Sequence, residues 1–328
     1  MKILIAGFGS IGRRHLNNLR ALGETDFVLV RSHLSTLPDD DIKGLPVETN
    51  IEAALVHKPQ AVVISNPSSL HLDVAIPAAK AGCSILMEKP VSHSMERIDE
   101  LQSAFKKGGG QLLVGYQFRF HPGLQQIKIW LDEGFIGRPV TSRAHWGEYM
   151  PGWHPWEDYR QSYAARADLG GGVVNTLCHP LDYQRWLFGE VESLWANTSN
   201  FALGLEVDDT AEIGLHFKSG VLSSTHVDYV QRPGQHTLQI IGTEGSIVWD
   251  NATGIAKCFQ PNTEQWIESS LPAGFERNFL FMDESRHFLD IVNQKVSPIC
   301  SLEDGIAAIQ LTEAIHRSAS SGQKVQLN

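Results

Sequence analysis

A glycine-rich loop near the start of the chain constrains the fold more than any other feature. A compact apolar segment, residues 2–6, precedes this loop, and a helical pattern that ends near Gly23 follows it. In such a loop the first glycine allows a tight turn, the second lets the backbone approach a pyrophosphate, and the third lets the helix pack against the strand. Free N–H groups at the helix start favour negative charge. We therefore predict a dinucleotide site whose cofactor-binding residues are Gly7, Phe8, Gly9, Ser10, Ile11 and Gly12.

The segments after this loop alternate between buried strands and helices. Helical patterns separate further apolar segments, at 27–30, 61–65, 84–88 and 112–114. This alternation predicts an α/β domain with a doubly wound parallel sheet. Because a domain typically has about 150 residues, a chain of 328 residues suggests two domains. We divide them into residues 1–118 and 119–328.

Beyond residue 118 the pattern changes to a run of strands. One helix, expected at 121–133, precedes them, and two helices, expected at 276–294 and 303–319, close the chain. The strands are expected near 140–148, 192–199, 209–217, 221–230, 236–242 and 245–249. Several of them alternate or are β-branched, and turn sequences separate them, which predicts an α+β domain. A sheet with one exposed face commonly buries it against a twin, so we expect a homodimer or homotetramer.

The formal net charge of −10 limits the classes of partner. Nucleic acids and anionic membranes need a basic protein surface, so neither is expected. Four widely spaced cysteines without a C-x-x-C pair predict neither disulfides nor a metal site, and they fit a reducing cytoplasm. The apolar start is too short for a signal peptide, and no segment approaches the roughly 20 apolar residues of a membrane span. We expect a cytoplasmic protein with a small-molecule ligand.

The residues after the second strand bear on the choice of cofactor. In a site that prefers NAD, an acidic residue here binds the 2′-hydroxyl of the adenosine ribose. In this chain Arg31 and Ser32 follow the strand, and the next acidic residues, Asp39 to Asp41, are interpreted as a solvated loop. A cation and a hydroxyl suit a 2′-phosphate, so we predict NADP(H) as the preferred cofactor and NAD(H) as a possible one. In the alternative, Arg31 stacks over the adenine of NAD.

Two further strand exits carry polar residues. Open α/β sheets bind ligands at the carboxyl ends of their strands. The residues predicted to line the cofactor groove there are Asn66, Pro67, His71, Glu88 and Lys89. Pro90 has no N–H group and ends the strand, so that Lys89 emerges at the mouth of a site. The alternatives are a surface lysine in a turn and a solvated histidine at a helix start.

Several motifs occur in order along nearly the whole chain. They are the glycine loop, Asn66-Pro67 with His71, Glu88-Lys89-Pro90, Arg119 in Gln-Phe-Arg-Phe, and Gly170-Gly171-Gly172 leading to His179. Together they resemble the glucose–fructose oxidoreductase, inositol dehydrogenase and rhizopine-catabolism (Gfo/Idh/MocA) oxidoreductase family. The resemblance implies a Rossmann domain, then a domain with a large, mostly antiparallel open-faced sheet, with nicotinamide between them. It also implies a cis bond between Lys89 and Pro90.

The resemblance further implies which residues carry the chemistry. Hydride transfer between a carbinol and nicotinamide needs a group that exchanges the proton of the same oxygen. By resemblance His179 is that catalytic acid–base group, and Lys89 hydrogen-bonds the reacting oxygen; a helix-capping histidine is the alternative. The family often has aspartate four residues before the histidine, where this chain has Asn175. Because an amide carries no charge, we expect a different relay, for which Asp182 is a candidate, or slowed or lost catalysis.

An aromatic-rich loop, residues 146–160, is the candidate substrate site. Aromatic faces stack on the C–H faces of sugars, and the polar groups of the loop suit hydroxyls, a carboxylate or a phosphate. The predicted substrate-binding residues are Lys89, Arg119, Trp153, His154, Trp156, Tyr159, Arg160, Asn175 and His179. The alternative is a small hydrophobic cluster under a long loop.

We therefore predict an NAD(P)-dependent oxidoreductase acting on CH–OH groups. It would transfer a hydride between nicotinamide and a secondary alcohol or ketone of a sugar, cyclitol or nucleotide sugar. One alternative is a reductase of a non-carbohydrate ring, such as a linear tetrapyrrole or a dihydrodiol. The other is an NAD(P)-binding regulator without turnover, which Asn175 favours, whereas Lys89 and His179 favour an enzyme.

Overall fold

The chain forms two compact units. The residues that the computed structural model describes are 1–31, 42–261 and 263–327. One unit consists of Met1–Gln117 with Glu276–Ile309, and the other of Phe118–Phe275 with Gln310–Asn328. Across the described ranges, no helix combines the length and the apolar composition needed to cross a bilayer.

Strands and helices alternate in the first unit. Its elements up to residue 117 are β1 (Lys2–Ala6), α1 (Ser10–Ala21), β2 (Asp26–Val30), β3 (Val47–Glu48), α2 (Ile51–Leu55), β4 (Ala61–Ile64), α3 (His71–Lys80), β5 (Ser84–Glu88), α4 (Ile98–Gly108) and β6 (Leu112–Gly115). The six strands form one sheet in the order β3-β2-β1-β4-β5-β6, and neighbouring strands are parallel. The order changes direction between β1 and β4, as in doubly wound sheets that bind dinucleotides. The predicted fold class of this part is confirmed.

The strands of this sheet are buried because they are apolar along their whole length. Residues 3–5 of β1 have no exposed surface, which is the pattern of a parallel sheet covered on both faces. Ala6 pairs with Val30 on one side and with Ile64 on the other. Ile64 pairs in turn with Met87. The carboxyl ends of β1, β4 and β5 therefore lie side by side at one edge of the sheet.

The second unit consists mainly of strands. Its elements up to residue 275 are α5 (Pro122–Asp132), β7 (Pro139–Gly147), α6 (Val173–Thr176), α7 (His179–Phe188), β8 (Val191–Ser199), β9 (Thr210–Phe217), β10 (Leu222–Asp228), β11 (Gln235–Gly242), β12 (Ser246–Asp250), β13 (Ile255–Gln260) and β14 (Gln265–Ser269). The chain then ends with α8 (Asn278–Val292), α9 (Leu302–Ser321) and β15 (Val325–Gln326). The nine-stranded sheet has the order β14-β13-β12-β11-β7-β10-β9-β8-β15. Only β7 and β10 pair in parallel within these described strands, so the mostly antiparallel second sheet is confirmed.

One face of the second sheet is buried and the other is open. Along β9, Ala211 and Ile213 are buried, while Glu212 between them is exposed. The register of the paired strands places several exposed apolar side chains on the open face, namely Trp195, Leu222, Ile241 and Trp266. An open face with aromatic and aliphatic side chains is unusual for a surface that meets only water.

Three strands of this sheet lie beyond the last strand that the sequence pattern predicts. These are β13, β14 and β15, which follow residue 250. Four of the five residues of β14 are exposed. An exposed edge strand has no buried face to impose an apolar alternation, so its sequence carries no periodic signal.

Helix α8 packs with the first unit although it follows most of the second unit in sequence. Asn278, its first residue, donates a hydrogen bond to the Oδ1 atom of Asn18 in α1 over 2.9 Å. Our boundary after residue 118 assigns this helix to the second domain, whereas its contacts assign residues 276–309 to the first unit. The apolar stripe of an amphipathic helix shows that the helix packs, but it does not identify the partner.

Candidate functional site

The backbone of the glycine loop leaves room for a phosphate group. Gly7 has a φ of +90°, and a Cβ atom there would lie 2.4 Å from the backbone nitrogen of Asn66. A Cβ atom on Gly12 would lie 2.2 Å from the carbonyl oxygen of Gly7, so both positions require glycine. A Cβ atom on Gly9, by contrast, would meet no described atom within 4 Å. The fold itself therefore leaves the space beside Gly9 open.

The start of α1 supplies hydrogen-bond donors beside this space. Gly9 precedes the helix, and no described side chain caps the helix or places an acidic group in its first turn. The first N–H groups of a helix lack intrahelical acceptors, and the helix dipole favours an anion at this end. The loop and the helix start thus fit the pyrophosphate of a dinucleotide.

Arg31 follows β2 and is buried, with 6% of its surface exposed. Its backbone N–H donates to the carbonyl oxygen of Glu48 over 3.2 Å. Since β2 pairs with β1, Arg31 leaves the sheet beside Gly7. Ser32, which we predict to bind the cofactor with Arg31, lies outside the described residues, as do residues 39–41.

His71 connects two loops at this edge of the sheet. Its ring is buried, with Nδ1 2.9 Å from the carbonyl oxygen of Pro90 and Nε2 2.9 Å from the carbonyl oxygen of Asn66. Burial lowers the pKa of His71, although the two carbonyl groups act in the opposite direction. A neutral imidazole has one N–H, so it donates to one carbonyl oxygen at a time. Our prediction that His71 lines the cofactor groove has a competing structural account, in which it holds Asn66 and Pro90 in place.

Glu88, Lys89 and Pro90 follow the buried part of β5. The Lys89–Pro90 peptide bond is cis, as the resemblance implies. Lys89 is half-buried, whereas the Oε1 atom of Glu88 lies 3.0 Å from Nε2 of the buried His15 in α1. Burial acts to raise the pKa of Glu88, but the hydrogen bond from His15 and nearby positive charges outweigh it and hold the pKa below its usual value. Glu88 is therefore an ionised anchor immediately before Lys89.

In the second unit, a glycine-rich turn precedes the short helix α6. Gly172 has a φ of +107°, and a Cβ atom there would lie 2.7 Å from Oδ1 of Asp208. The Oδ2 atom of Asp208 accepts a hydrogen bond from the N–H of Val174 over 2.9 Å. The three consecutive glycines at 170–172 thus let the backbone approach a carboxylate that holds the start of α6.

Asn175 lies in α6 and faces the same turn. Its Nδ2 atom donates to the carbonyl oxygens of Gly171 at 3.2 Å and Gly170 at 3.4 Å. The Oδ1 atom is buried and has no hydrogen-bond partner among the described residues. Two carbonyl oxygens select the N–H₂ end of the amide, so the orientation of the side chain is determined. A carboxylate in this place would meet two acceptors and donate to neither.

His179 begins α7 inside a cluster of rings. It is 2% exposed, and its ring lies 5.0 Å from that of Phe118 and 5.4 Å from that of Trp146. His236 stacks flat on Trp146, with 4.4 Å between centroids and 4° between planes. Close packing by rigid rings leaves the imidazole of His179 few alternative orientations, which suits a group that must meet one atom of a substrate.

Phe118 and His236 are residues of this cluster that the sequence analysis missed. Phe118 contacts Trp146, His179 and His236 with edge-to-face geometry. It precedes Arg119 directly, so an aromatic residue next to a charged motif residue is the signal that would have found it. His236 lies on β11, far from every motif, and no local pattern marks it.

Arg119 is buried in an ion pair. Its Nε donates to Oδ2 of Asp182 over 3.0 Å and its Nη2 to Oδ1 over 2.7 Å, and both side chains are almost fully buried. The charge of Arg119 is therefore compensated within the second unit, which argues against our prediction that it binds an anionic group of the substrate. The same pair engages both oxygens of Asp182, which argues against a proton relay through that residue.

Short 3-10 turns at Met150–Gly152 and Tyr159–Gln161 occur in the predicted substrate loop, residues 146–160, and two more turns follow at Tyr163–Ala165 and Ala167–Leu169. Trp153 packs edge-on against Tyr229 with 5.5 Å between ring centroids. Its Nε1 is buried and has no acceptor in the described part of the chain. Trp156 is 65% exposed, and its ring lies 5.2 Å from that of His154. Trp153 thus belongs partly to the core, while Trp156 presents its face to solvent.

Tyr159 and Arg160 interact with each other at the surface of this loop. The guanidinium carbon of Arg160 lies 4.6 Å from the centroid of the Tyr159 ring. Nη1 of Arg160 also lies 3.5 Å from Oδ1 of Asp158. Because both groups of this pair are exposed, the pair contributes little to stability and can open to meet a ligand.

Two family models match most of the chain. Residues 1–116 match the model described as an oxidoreductase family with an NAD-binding Rossmann fold, and residues 124–248 match the GFO/IDH/MocA C-terminal domain. The chain therefore belongs to the GFO/IDH/MocA family of oxidoreductases. The recognition made from the motifs is confirmed.

Relatives and solved structures share the fold over its full length. Myo-inositol 2-dehydrogenase of Thermotoga maritima is 26% identical over 345 residues, covering 100% of this chain and 98% of the relative. Levoglucosan dehydrogenase in complex with NADH and L-sorbose has a TM-score of 0.88 at 21% identity, covering 100% of this chain and 99% of that chain. WlbA dehydrogenase from Bordetella pertussis, in complex with NADH and UDP-GlcNAcA, has a TM-score of 0.82 at 21% identity, with coverage of 100% and 98%.

Gly12→Ala and Gly9→Ala form a matched pair that tests the glycine loop. Gly12→Ala is expected to lower the free energy of unfolding by about 1–3 kcal/mol, because its Cβ overlaps the carbonyl group of Gly7. Gly9→Ala is expected to keep the stability within about 0.5 kcal/mol and to weaken cofactor binding roughly tenfold or more, because the new methyl group fills the space of the pyrophosphate. Urea unfolding and fluorescence titration with NADPH or NADH measure the two effects. Unchanged cofactor affinity in Gly9→Ala would place the phosphate elsewhere.

Asn175→Asp tests whether the turn at Gly170–Gly172 accepts a carboxylate at this position. We expect a loss of about 1–3 kcal/mol at pH 7, because both hydrogen bonds to the carbonyl groups are lost and a buried charge replaces the amide. The loss should shrink as the pH falls and the new carboxyl group takes up a proton. Thermal unfolding from pH 4 to pH 8 measures this, with Asn175→Ala as the uncharged control. A variant as stable as the wild type and faster in turnover would contradict this account.

Proposed function

We propose that this oxidoreductase transfers a hydride between nicotinamide and a secondary alcohol or ketone of a sugar, cyclitol or nucleotide sugar. One observation carries the proposal: the glycine loop after β1 and Lys89 after β5 leave the same edge of one parallel sheet, with β4 between them. A cofactor held at the glycine loop and a lysine that reaches a substrate share that edge. The names of a relative and of two solved neighbours, which mention myo-inositol, levoglucosan and UDP-GlcNAcA, support the substrate class.

In this proposal His179 moves the proton that accompanies the hydride. The bound nicotinamide supplies the hydride acceptor for oxidation and the donor for reduction. In oxidation, the O–H bond of the carbinol breaks and His179 accepts the proton, while the electrons of the C–H bond leave with the hydride and a carbonyl group forms. In reduction, His179 returns the proton to the oxygen. Lys89 donates a hydrogen bond to the same oxygen and stabilises negative charge as it develops.

We propose that His179 works without a carboxylate at position 175. The Asn175 amide is oriented by the carbonyl groups of the glycine turn, which leaves its Oδ1 as an acceptor for a substrate hydroxyl. Asp182 is held by Arg119. The rings of Phe118 and Trp146 pack against the imidazole of His179 and hold its orientation.

We propose that the substrate meets the aromatic-rich loop at residues 146–160. The exposed ring of Trp156 offers a flat apolar face to a sugar, and the neighbouring His154 offers a hydrogen-bonding group. Arg160 supplies a positive charge for an acidic or phosphorylated substituent, and Tyr159 supports its guanidinium group. Trp153 contributes mainly by anchoring the loop on Tyr229.

We propose an assembly of two or four copies through the open face of the second sheet. The exposed side chains of Trp195, Leu222, Ile241 and Trp266 lie on that face. Removing such side chains from water favours association by about 25 cal/mol per Å² of buried apolar surface.

Lys89→Ala tests the proposed chemistry. We expect kcat to fall by about 10²–10⁴-fold, because the lysine contacts the reacting oxygen. Lys106→Ala, at an exposed position of α4 in the same unit, is the matched control and should keep full activity. The assay follows the absorbance of bound and added nicotinamide over its full spectrum while a panel of sugars, cyclitols and nucleotide sugars is added.

Full turnover by Lys89→Ala with its substrate would exclude the proposed mechanism. A wild-type protein whose bound cofactor keeps its oxidation state with every compound would favour a regulator without turnover.

We propose that NADP(H) is preferred and that NAD(H) is also accepted. The buried Arg31 beside the glycine loop supports this preference, because a guanidinium group binds a phosphate in a bidentate manner. Arg31→Leu is expected to weaken NADPH binding by about 10–100-fold, the effect of losing a charged hydrogen bond, and to leave NADH binding within about threefold. Isothermal titration with both cofactors measures this, and the NADH titration is the internal control. Equal losses for the two cofactors would mean that Arg31 contacts the adenine ring instead.

A further inference from the structure

A cluster of three ionisable side chains in the first unit includes Glu88, the residue directly before Lys89. Glu284 comes from α8, Glu88 from the end of β5, and His15 from α1. One ligating atom of each residue lies within 4.8 Å of those of the other two. Glu284 and His15 have no exposed surface. The cofactor loop and the proposed substrate residues do not account for Glu284.

Glu284 is the member of the cluster whose burial is not explained by hydrogen bonds to the described residues. Both of its carboxylate oxygens are buried, and neither has a hydrogen-bond partner among the residues that the structure describes. An ionised carboxylate in that state costs free energy, because burial removes its hydrating water and no hydrogen bond replaces that water. Glu88, by comparison, is paired with Nε2 of His15 at 3.0 Å. Two negative charges this close to each other in a buried place cannot both be stable.

We propose that Glu284 is a neutral carboxylic acid in the folded protein, that its proton is donated to the Glu88 carboxylate, and that it is a positioning residue for Glu88, Lys89 and Pro90. With His15 on one side and Glu284 on the other, the carboxylate of Glu88 receives two hydrogen bonds. His71 binds the carbonyl oxygen of Pro90 at 2.9 Å. The backbone of Lys89 is thus held on both sides.

The charged groups around the cluster favour a proton on Glu284. Burial raises the pKa of Glu284 well above its usual range, and the charge of Glu88 adds to the effect. The groups that lower the pKa of Glu88 are His15, Lys89 and His71, and Arg14 of α1 interacts with Glu88 as well.

A metal ion held by the same three groups is the competing occupant. Arg14 places a positive charge beside the cluster, with its guanidinium carbon 4.5 Å from the centroid of the Phe281 ring. Arg277, which precedes α8, adds a second positive charge that acts on Arg14. A positive charge beside the cluster opposes a divalent cation more than it opposes a neutral acid.

The stability of Glu284→Gln as a function of pH tests where the proton resides. A group whose pKa is raised in the folded state stabilises the fold fully below its unfolded value, 4.5, and loses that stabilisation as the pH rises towards the folded value. The amide stays neutral and keeps an N–H donor. Relative to Glu284→Gln, the wild type should therefore lose about tenfold in its folding equilibrium constant for each pH unit above that point. Thermal and urea unfolding from pH 4 to pH 9 measure this difference.

The exposed Glu303→Gln in α9 is the matched control and should follow the wild type at every pH. A constant difference between Glu284→Gln and the wild type across the range would show that Glu284 is ionised in the fold, and it would overturn the proposal. Thermal stability that falls on dialysis against EDTA and returns with Zn²⁺ would overturn it in favour of a metal site.

A second measurement uses the unsubstituted protein and does not depend on the folding of a variant. In a ¹³C spectrum of protein labelled at glutamate side chains, the Glu284 carboxyl carbon, assigned through its own backbone signals, should keep the shift of a protonated acid at pH 7. A shift typical of a carboxylate would overturn the proposal.

The positioning role rests on the proposed function and has its own readout. Glu284→Met fills a similar volume but cannot donate, so kcat should fall about tenfold with KM for the alcohol nearly unchanged, whereas Glu284→Gln should keep kcat within about threefold. Equal kcat values in the two variants would overturn the positioning role. Failure of the proposed function would appear separately, as full turnover by Lys89→Ala, and would leave the pH dependence of stability unaltered.

Discussion

Backbone hydrogen bonds between parallel strands determine where the glycine loop, Asn66 and Lys89 lie in the first unit. The pairing of β1 with β4, and of β4 with β5, places three strand exits side by side. The glycine loop, Asn66 and Lys89 each follow one of these exits, so residues more than eighty positions apart in sequence lie at one edge. A slip of one residue in any pairing would turn the side chains of that strand to the opposite face and separate the set.

Polar side chains that hold backbone segments recur at both candidate regions. His71 connects the carbonyl groups of Asn66 and Pro90, and Asn175 donates to those of Gly170 and Gly171. Buried polar groups need partners, and loop carbonyls outside regular structure supply them. Motif residues that a sequence presents as ligand-binding can therefore serve the loops around the ligand. This explains how a motif can be diagnostic of a family without each of its members contacting the substrate.

The sequence predictions were accurate for features that depend on neighbouring residues and inaccurate for features that depend on contacts between remote segments. The doubly wound sheet and the run of later strands were predicted correctly, because hydrophobic periodicity acts within a few residues. The assignment of α8 to the second domain and the absence of β14 from the predicted strands have one cause. The sequence of a helix does not show which element the helix packs against. An exposed edge strand has no apolar alternation in its sequence. His236 was missed for the same reason, since its relation to His179 exists only after β11 packs.

By itself, the sequence determined the alternation of strands and helices, the glycine loop between β1 and α1, and the motifs that identify the family. These properties depend on local sterics and on hydrophobic spacing, both of which are readable along the chain. Only the tertiary structure decided that Arg119 is neutralised by Asp182 and that Glu284 faces Glu88. The energy of a charge depends on its distance to other charges and to water, and those distances are set when remote segments pack together.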